Sequence, residues 1–238
     1  MNRRLYAIHR WLSAIALVQL AIWVTSGLFF AVVPERTLKG APVSGAHAAP
    51  IPTDVELVTP ASIVSKMQPS GRVEKLELVG TPDGPFYRGK AGERRFRFDA
   101  RSGAERLVTE SEANAIAARD QPSHPAARAT TLIERDPHIE YRGKPLPAWH
   151  VLLDDGAGTV VYIDAMTGEV TARRNDVWRA YDFLWGLHLM DYGQRDTRNH
   201  PLLAGTAILG LLTVVSGAVL WVVRVFRWIR RDRRTKTR

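Results

Sequence analysis

The chain has 238 residues, 45% of them hydrophobic, a formal net charge of +9 and no cysteine. Without cysteine there are no disulfides, thiolate metal sites, iron–sulfur clusters or covalent c-type haem attachment, which leaves oxygen, nitrogen and methionine sulfur as ligands. Much of the positive charge abuts two apolar runs at the chain ends, which points to a membrane partner and away from a nucleic acid.

Trp11 to Val33 and Leu202 to Val223 contain no Asp, Glu, Lys, Arg or His. At about 1.5 Å of helical rise per residue, a run of roughly 22 residues reaches about 33 Å, enough to cross a hydrocarbon core of about 30 Å. Arg3, Arg4 and Arg10 precede the first run, and Arg224, Arg227, Arg230, Arg231, Arg233, Arg234, Lys236 and Arg238 follow the second. By the positive-inside rule both ends are cytoplasmic, so the segment between the spans lies outside, in the periplasm of a bacterial inner membrane. Trp11, Trp221 and Trp228 suit the headgroup region, and the basic tail attracts anionic lipid. Ala46-His47-Ala48 resembles a signal cleavage site, but the first run is longer than a signal h-region and ends well before it, which predicts a retained signal anchor.

The expected organisation is a cytoplasmic N-terminus over 1–10, a transmembrane helix over 11–33, a proline-rich linker over 34–59, one α+β unit over 60–120 and a second over 126–175. An amphipathic helix over 176–192, a second transmembrane helix over 202–223 and a basic cytoplasmic tail over 224–238 complete it. Pro60 to Met67 has a helical pattern with Thr59 as its cap. Val73 to Val79 alternates as a half-solvated strand. Phe96-Arg97-Phe98-Asp99-Ala100-Arg101-Ser102-Gly103 and Val161-Tyr162-Ile163-Asp164-Ala165-Met166-Thr167-Gly168 match at a 65-residue offset, which predicts a duplicated hairpin. Asp99 and Asp164 read as turn residues that accept from backbone N–H groups, with glycine supplying positive φ. The second strands run over Glu105 to Thr109 and Glu169 to Arg174. Glu110 to Arg119 opens the second unit as a helix, followed by strands over Ile139 to Gly143, Ala148 to Leu153 and Thr159 to Asp164. Asp154-Asp155 before Gly156-Ala157-Gly158 reads as a hairpin turn.

Asp176 to Asp191 places Trp178, Tyr181, Trp185 and His188 near one face, to lie in the membrane–water interface or to cover the sheet. Within the bilayer Gln19 and Ser26 share a face that should meet the small-residue stripe Thr206, Gly210, Thr213 and Gly217.

Three segments resemble the PepSY-domain membrane proteins with PepSY-associated transmembrane helices. They are His9-Arg10-Trp11-Leu12 with Thr25-Ser26-Gly27; Tyr162-Ile163-Asp164-Ala165-Met166-Thr167-Gly168-Glu169-Val170; and Leu187-His188 followed by Ser216-Gly217-Ala218-Val219-Leu220-Trp221. The resemblance implies an α+β fold with two transmembrane helices flanking a periplasmic domain of two PepSY-like helix-plus-antiparallel-sheet units. Larger members resemble inner-membrane reductases of ferric-siderophore uptake that hold b-type haem between histidines, and PepSY units elsewhere resemble modules that bind peptidases or partner proteins.

A bis-imidazole haem needs two histidines at one depth, and neither apolar run contains any. His9, His188 and His200 are the candidates for haem b, which a homodimer or a larger partner could complete. His9 as an interfacial anchor and His200 as a cap are the plain alternatives, and His138 and His150 read as structural. No Gly-x-Ser-x-Gly, His-Glu-x-x-His or phosphate loop is present, so hydrolysis and phosphoryl transfer are unsupported. The sequence therefore points to a non-hydrolytic accessory or partner-binding subunit, and the resemblance implies a setting in iron or siderophore handling or a membrane redox complex. An electron-transfer subunit carrying haem and a regulator of a periplasmic enzyme are the rivals.

Overall fold

The computed structural model describes residues 3–38, 49–51, 54–193 and 200–236. Ala46–Ala48 with its His47, the rest of linker positions 39–48 with 52 and 53, the chain just before His200 and the terminal Arg238 lie outside these residues. Two bodies emerge, one of residues 1–33 with 180–238 and the other of residues 34–179.

The first body is built on α1 (Arg3–Val32) and α6 (Pro201–Lys236), which pack against each other. Both extend well past the apolar runs, because the flanking arginines favour helix and continue the hydrogen-bonded ladder into the polar region. Leu17, Val18, Val24 and Leu28 on α1 and Ile208, Leu211, Val214 and Val215 on α6 are exposed. A water-soluble protein does not leave so continuous an apolar surface bare, and these two helices span a membrane. The stripe Thr206, Gly210, Thr213 and Gly217 is the half-buried side of α6, and α1 turns Ala16, Gln19 and Ser26 inward. The two faces meet as expected, but Gln19 Nε2 is buried there without a hydrogen-bond partner among the described residues. The polar link is instead His9 Nδ1 with Ser216 Oγ at 2.9 Å.

The second body contains two units of the same plan, preceded by the short helix α2 (Glu35–Leu38). In the first unit α3 (Pro60–Met67) packs on a sheet of order β1 (Val73–Thr81), β2 (Gly84–Ala91), β3 (Arg94–Asp99). In the second, α4 (Glu110–Asp120) packs on β4 (Ala127–Ile133), β5 (Ala148–Leu153), β6 (Val160–Asp164), β7 (Val170–Arg174), all antiparallel. The fold is α+β. Ile63 and Met67 meet Tyr87, Phe96 and Phe98 in one core; Ile116 and Ala117 meet Val151, Val161 and Ile163 in the other.

Hydrogen bonds carry the duplication further than the sequence match does. Asp99 Oδ1 accepts from the N–H of Arg101 and Ser102, each at 2.9 Å, and Asp164 Oδ1 from Met166 and Thr167 at 2.7 and 3.1 Å. Gly103 and Gly168 close the turns at φ 67° and 74°, a region an L side chain enters only with strain. Ahead of each helix, Val58 donates to Ala100 O and accepts from the Tyr87 hydroxyl; Val108 donates to Ala165 O and accepts from Trp149 Nε1. Both Asp residues are thus turn residues.

Two expectations are corrected. Ile139 to Gly143 is a 3-10 turn over Ile139–Tyr141, because the Tyr141 hydroxyl bonds to Pro145 O and Thr171 Oγ1 and pulls the segment across the outer face of the sheet. The unit's first strand is β4, which the sequence reading passed over. Glu105 to Thr109 is also not a strand: only Glu105 bridges, to Phe98, where the second unit has a full β7. Thr59 precedes α3 as expected, but its side chain makes no capping bond; Pro60 at N1 leaves one fewer N–H to satisfy. Thr109 does cap α4, accepting from the Glu112 N–H at 3.3 Å.

Candidate functional site

In the helical body the histidines stand apart. His9 sits half-buried toward the N-terminal end of α1, with Nδ1 on Ser216 and Nε2 3.4 Å from Ser13 Oγ. Gly217 makes room for it, since a Cβ there would lie 3.1 Å from His9 Cε1. His188, on α5 (Asp176–Leu189), has Nδ1 2.8 Å from Ser26 Oγ, and its backbone carbonyl accepts from Trp23 Nε1 at 2.9 Å. Tyr181, Trp185 and His188 are successively stacked, and all three pack on Phe30. Tyr181, Trp185 and His188 therefore face α1, for the ordinary reason that stacking buries large apolar rings while Ser26 satisfies the imidazole, whereas Trp178, expected on the same face, lies under the Arg174 guanidinium at 3.9 Å. His200 precedes α6, and its Nδ1 accepts from the Leu202 N–H at 3.3 Å, a capping role.

His9 and His188 do not fit a shared haem in one chain. Their serine partners Ser26 and Ser216 hold them at opposite ends of α1: positions 9 and 26 are separated by about 25 Å of helix, whereas two axial imidazoles must meet at one iron. His200 makes no hydrogen bond or ring contact with His188 among the described residues. One feature does suit a ligand: with Nδ1 engaged by Ser26, the ring is oriented and His188 Nε2 makes no hydrogen bond among the described residues.

In the second body, a cleft of about 390 Å³ opens between the charged face of the β1–β3 sheet and the β6–β7 turn, with the exposed Lys144 in its lining. Strand alternation puts Leu76, Leu78, Tyr87 and Phe96 toward α3, so Glu77, Arg88, Lys90 and Arg95 necessarily point the other way, into the cleft. Glu77 pairs with Lys75 at 2.7 Å and Arg88 at 2.8 Å, and Arg95 pairs with the buried Asp164. Hydrogen bonding from Lys75, then from Arg88, holds the Glu77 carboxyl below its ordinary range against a partial burial that would raise it. Burial lowers the Arg95 guanidinium, which also donates to Leu146 O at 2.7 Å. Lys144 and Glu169, both in the lining, make no ion pair among the described residues. The lining offers fixed hydrogen-bonding groups of both signs, a surface suited to holding a charged or polar segment. Sequence reasoning missed it. The one available signal was the run of charges at alternate positions of β1 and β2.

A membrane protein of two spans bearing a duplicated helix-on-sheet domain, with a charged cleft in that domain and a serine-held imidazole toward each end of its first span, is the class that fold and sites define. A family model for the PepSY-associated TM region matches residues 6–238, and the chain belongs to that family. No match was found among the curated proteins or the solved structures.

Proposed function

We propose that this chain is a non-hydrolytic, partner-binding subunit anchored in the bacterial inner membrane, with both termini cytoplasmic and the duplicated domain periplasmic. The arginines flanking both apolar runs support that orientation. The observation that carries the binding role is the mixed-charge cleft, whose exposed lining residues Lys144 and Glu169 make no ion pair among the described residues and are left for a partner, while Glu77, Arg88, Arg95 and Asp164 are already paired and therefore fixed. The partner is a membrane or periplasmic protein, an enzyme under regulation among the candidates. The setting is iron or siderophore handling or a membrane redox complex, a link that rests on the family resemblance. The test is a photo-reactive amino acid at Lys144 or Thr171, with Leu107 as a control position outside the cleft lining, in native membranes. A discrete adduct from the cleft positions alone supports the reading; no adduct, or the same adducts from Leu107, overturns it.

A second reading is favoured by the orientation of His188: an assembly, whether a homodimer or a complex with another subunit, in which this imidazole is one axial ligand of a b-haem and the other chain supplies the second. Haem would bring one-electron chemistry, and Ser26 and the Trp185 and Phe30 rings would fix the ligand. A Soret band in the purified assembly that His188→Ala abolishes supports it; a colourless assembly that retains its partner sinks it.

A further inference from the structure

Outside these sites the described residues contain one close pair of imidazoles. His150 lies on β5, flanked by β4 and β6, and packs edge-on against the Tyr162 ring at 5.3 Å. His138 is exposed and immediately precedes the 3-10 turn that Tyr141 pins to Pro145 and Thr171. The two ring centroids are 5.9 Å apart, with planes inclined at 54°.

The other described histidines use a ring nitrogen on a neighbour: His9 on Ser216, His124 on Ala118 O, His188 on Ser26 and His200 on the Leu202 N–H. The His150 ring is engaged by its own backbone, and no other residue hydrogen-bonds to the ring of His138 or His150 among the described residues. The separation has a chemical meaning. With metal–nitrogen bonds of about 2.0–2.1 Å and a ring centre roughly 1.2 Å behind each nitrogen, two imidazoles on one ion have centroids about 5.2 Å apart at a tetrahedral angle and about 6.4 Å when linear. The observed 5.9 Å falls inside that span. Both rings are carried by anchored backbone, so little ordering would accompany binding. Burial lowers the His150 pKa, and the neighbouring His138 opposes a second charge, which keeps the neutral, ligating form available near neutral pH.

We propose that His138 and His150 form a two-imidazole site for a borderline transition-metal dication such as Cu²⁺, Zn²⁺ or Ni²⁺, with water completing the shell. No group of three or more His, Cys, Asp or Glu able to hold a metal occurs among the described residues, so the site keeps open positions and binds more weakly than a closed structural site. Glu140 lies close enough to act on His150, but its carboxylate is held by Arg179 at 2.8 Å. The Arg179 guanidinium, close enough to act on His150, repels a dication and weakens the site further.

The test uses the full chain in detergent, free of any histidine tag, titrated with Cu²⁺ and followed by electron paramagnetic resonance and calorimetry. One equivalent per chain with a hyperfine pattern from two nitrogens is expected. His138→Ala, at an exposed position, and His150→Gln should each weaken binding by roughly tenfold or more and leave one nitrogen, while His124→Gln and His200→Gln change neither readout. Absence of saturable binding, a pattern that survives both variants, or an adventitious ion only, lost with His124 or His200, overturns the proposal. Thermal melts of each variant separate loss of ligation from loss of fold.

Discussion

The strongest energetic test lies where the two repeats lock together. Arg97 of β3 and Glu112 of α4 form an ion pair in which both side chains are 0% exposed. Thr81 Oγ1 donates to the same Glu112 oxygen at 2.9 Å, and the guanidinium lies 3.5 Å from the centre of the Phe86 ring. Burial lowers the Arg97 pKa, and the facing Glu112 opposes that shift. Arg97 Nε and Glu112 Oε2 find no hydrogen bond among the described residues, so the pair is imperfectly satisfied and much of its energy is desolvation already incurred. Removing one partner, as in Glu112→Ala or Arg97→Ala, strands a buried charge and should cost about 3–5 kcal/mol, whereas replacing both by apolar residues of similar size, Arg97→Met with Glu112→Leu, should be far milder. At about 2–4 °C per kcal/mol for a domain of this size, each single variant should melt roughly 6–20 °C lower. The assay is thermal unfolding of the full chain in detergent followed by circular dichroism, with the double-variant cycle analysed for coupling. Single variants that melt within a degree of the parent, or a double variant as damaged as the sum of the singles, would refute the argument.

Two further outcomes are expected. Gly217→Leu should displace His9, whose Cε1 a Cβ at that position would approach to 3.1 Å. Loss of the His9–Ser216 bond should lower the melting temperature of the detergent-solubilised protein by several degrees more than Gly217→Ala does, and equal effects would show that the clasp is unimportant. The His150 pKa is lowered below its ordinary 6.5, first by burial and then by His138 and Arg179, against a hydrogen bond with its own backbone and the Glu140 charge, which both raise it. Between the folded and ordinary values the unfolded chain binds more protons, so stability is full above about pH 6.5 and declines as pH falls below it. A melting series from pH 7.5 to 5.5 should slope downward, and His150→Gln should flatten it; an unchanged slope would contradict the assignment.

Elements whose cause is local were readable in the chain. The two spans follow from length and hydropathy, which need no partner to be evaluated. The Asp99 and Asp164 turns follow from a carboxylate reaching the N–H groups two and three residues on. The misread segments are those where a distant contact overrode the pattern. Ile139 to Gly143 looks like a strand until Tyr141 is tied to Thr171, and β4, reading Ala-Arg-Ala-Thr-Thr-Leu-Ile, has too little apolar alternation to stand out. Among the sites, His9, His188 and His200 could be picked out by residue type and position, but not their relations. Nothing in the sequence aligns His9 with Ser216, His188 with Ser26, or His138 with His150.

Sequence alone determined that this is a two-span membrane protein with a duplicated α+β domain, because spanning length, charge at the span ends and repeated turn chemistry are properties of contiguous residues. Tertiary structure decided that the cleft is lined by paired charges, that Arg97 and Glu112 join the repeats in the dark, and that the histidines divide into separate sites. Periodicity reports which face a side chain takes, whereas packing chooses what that face meets.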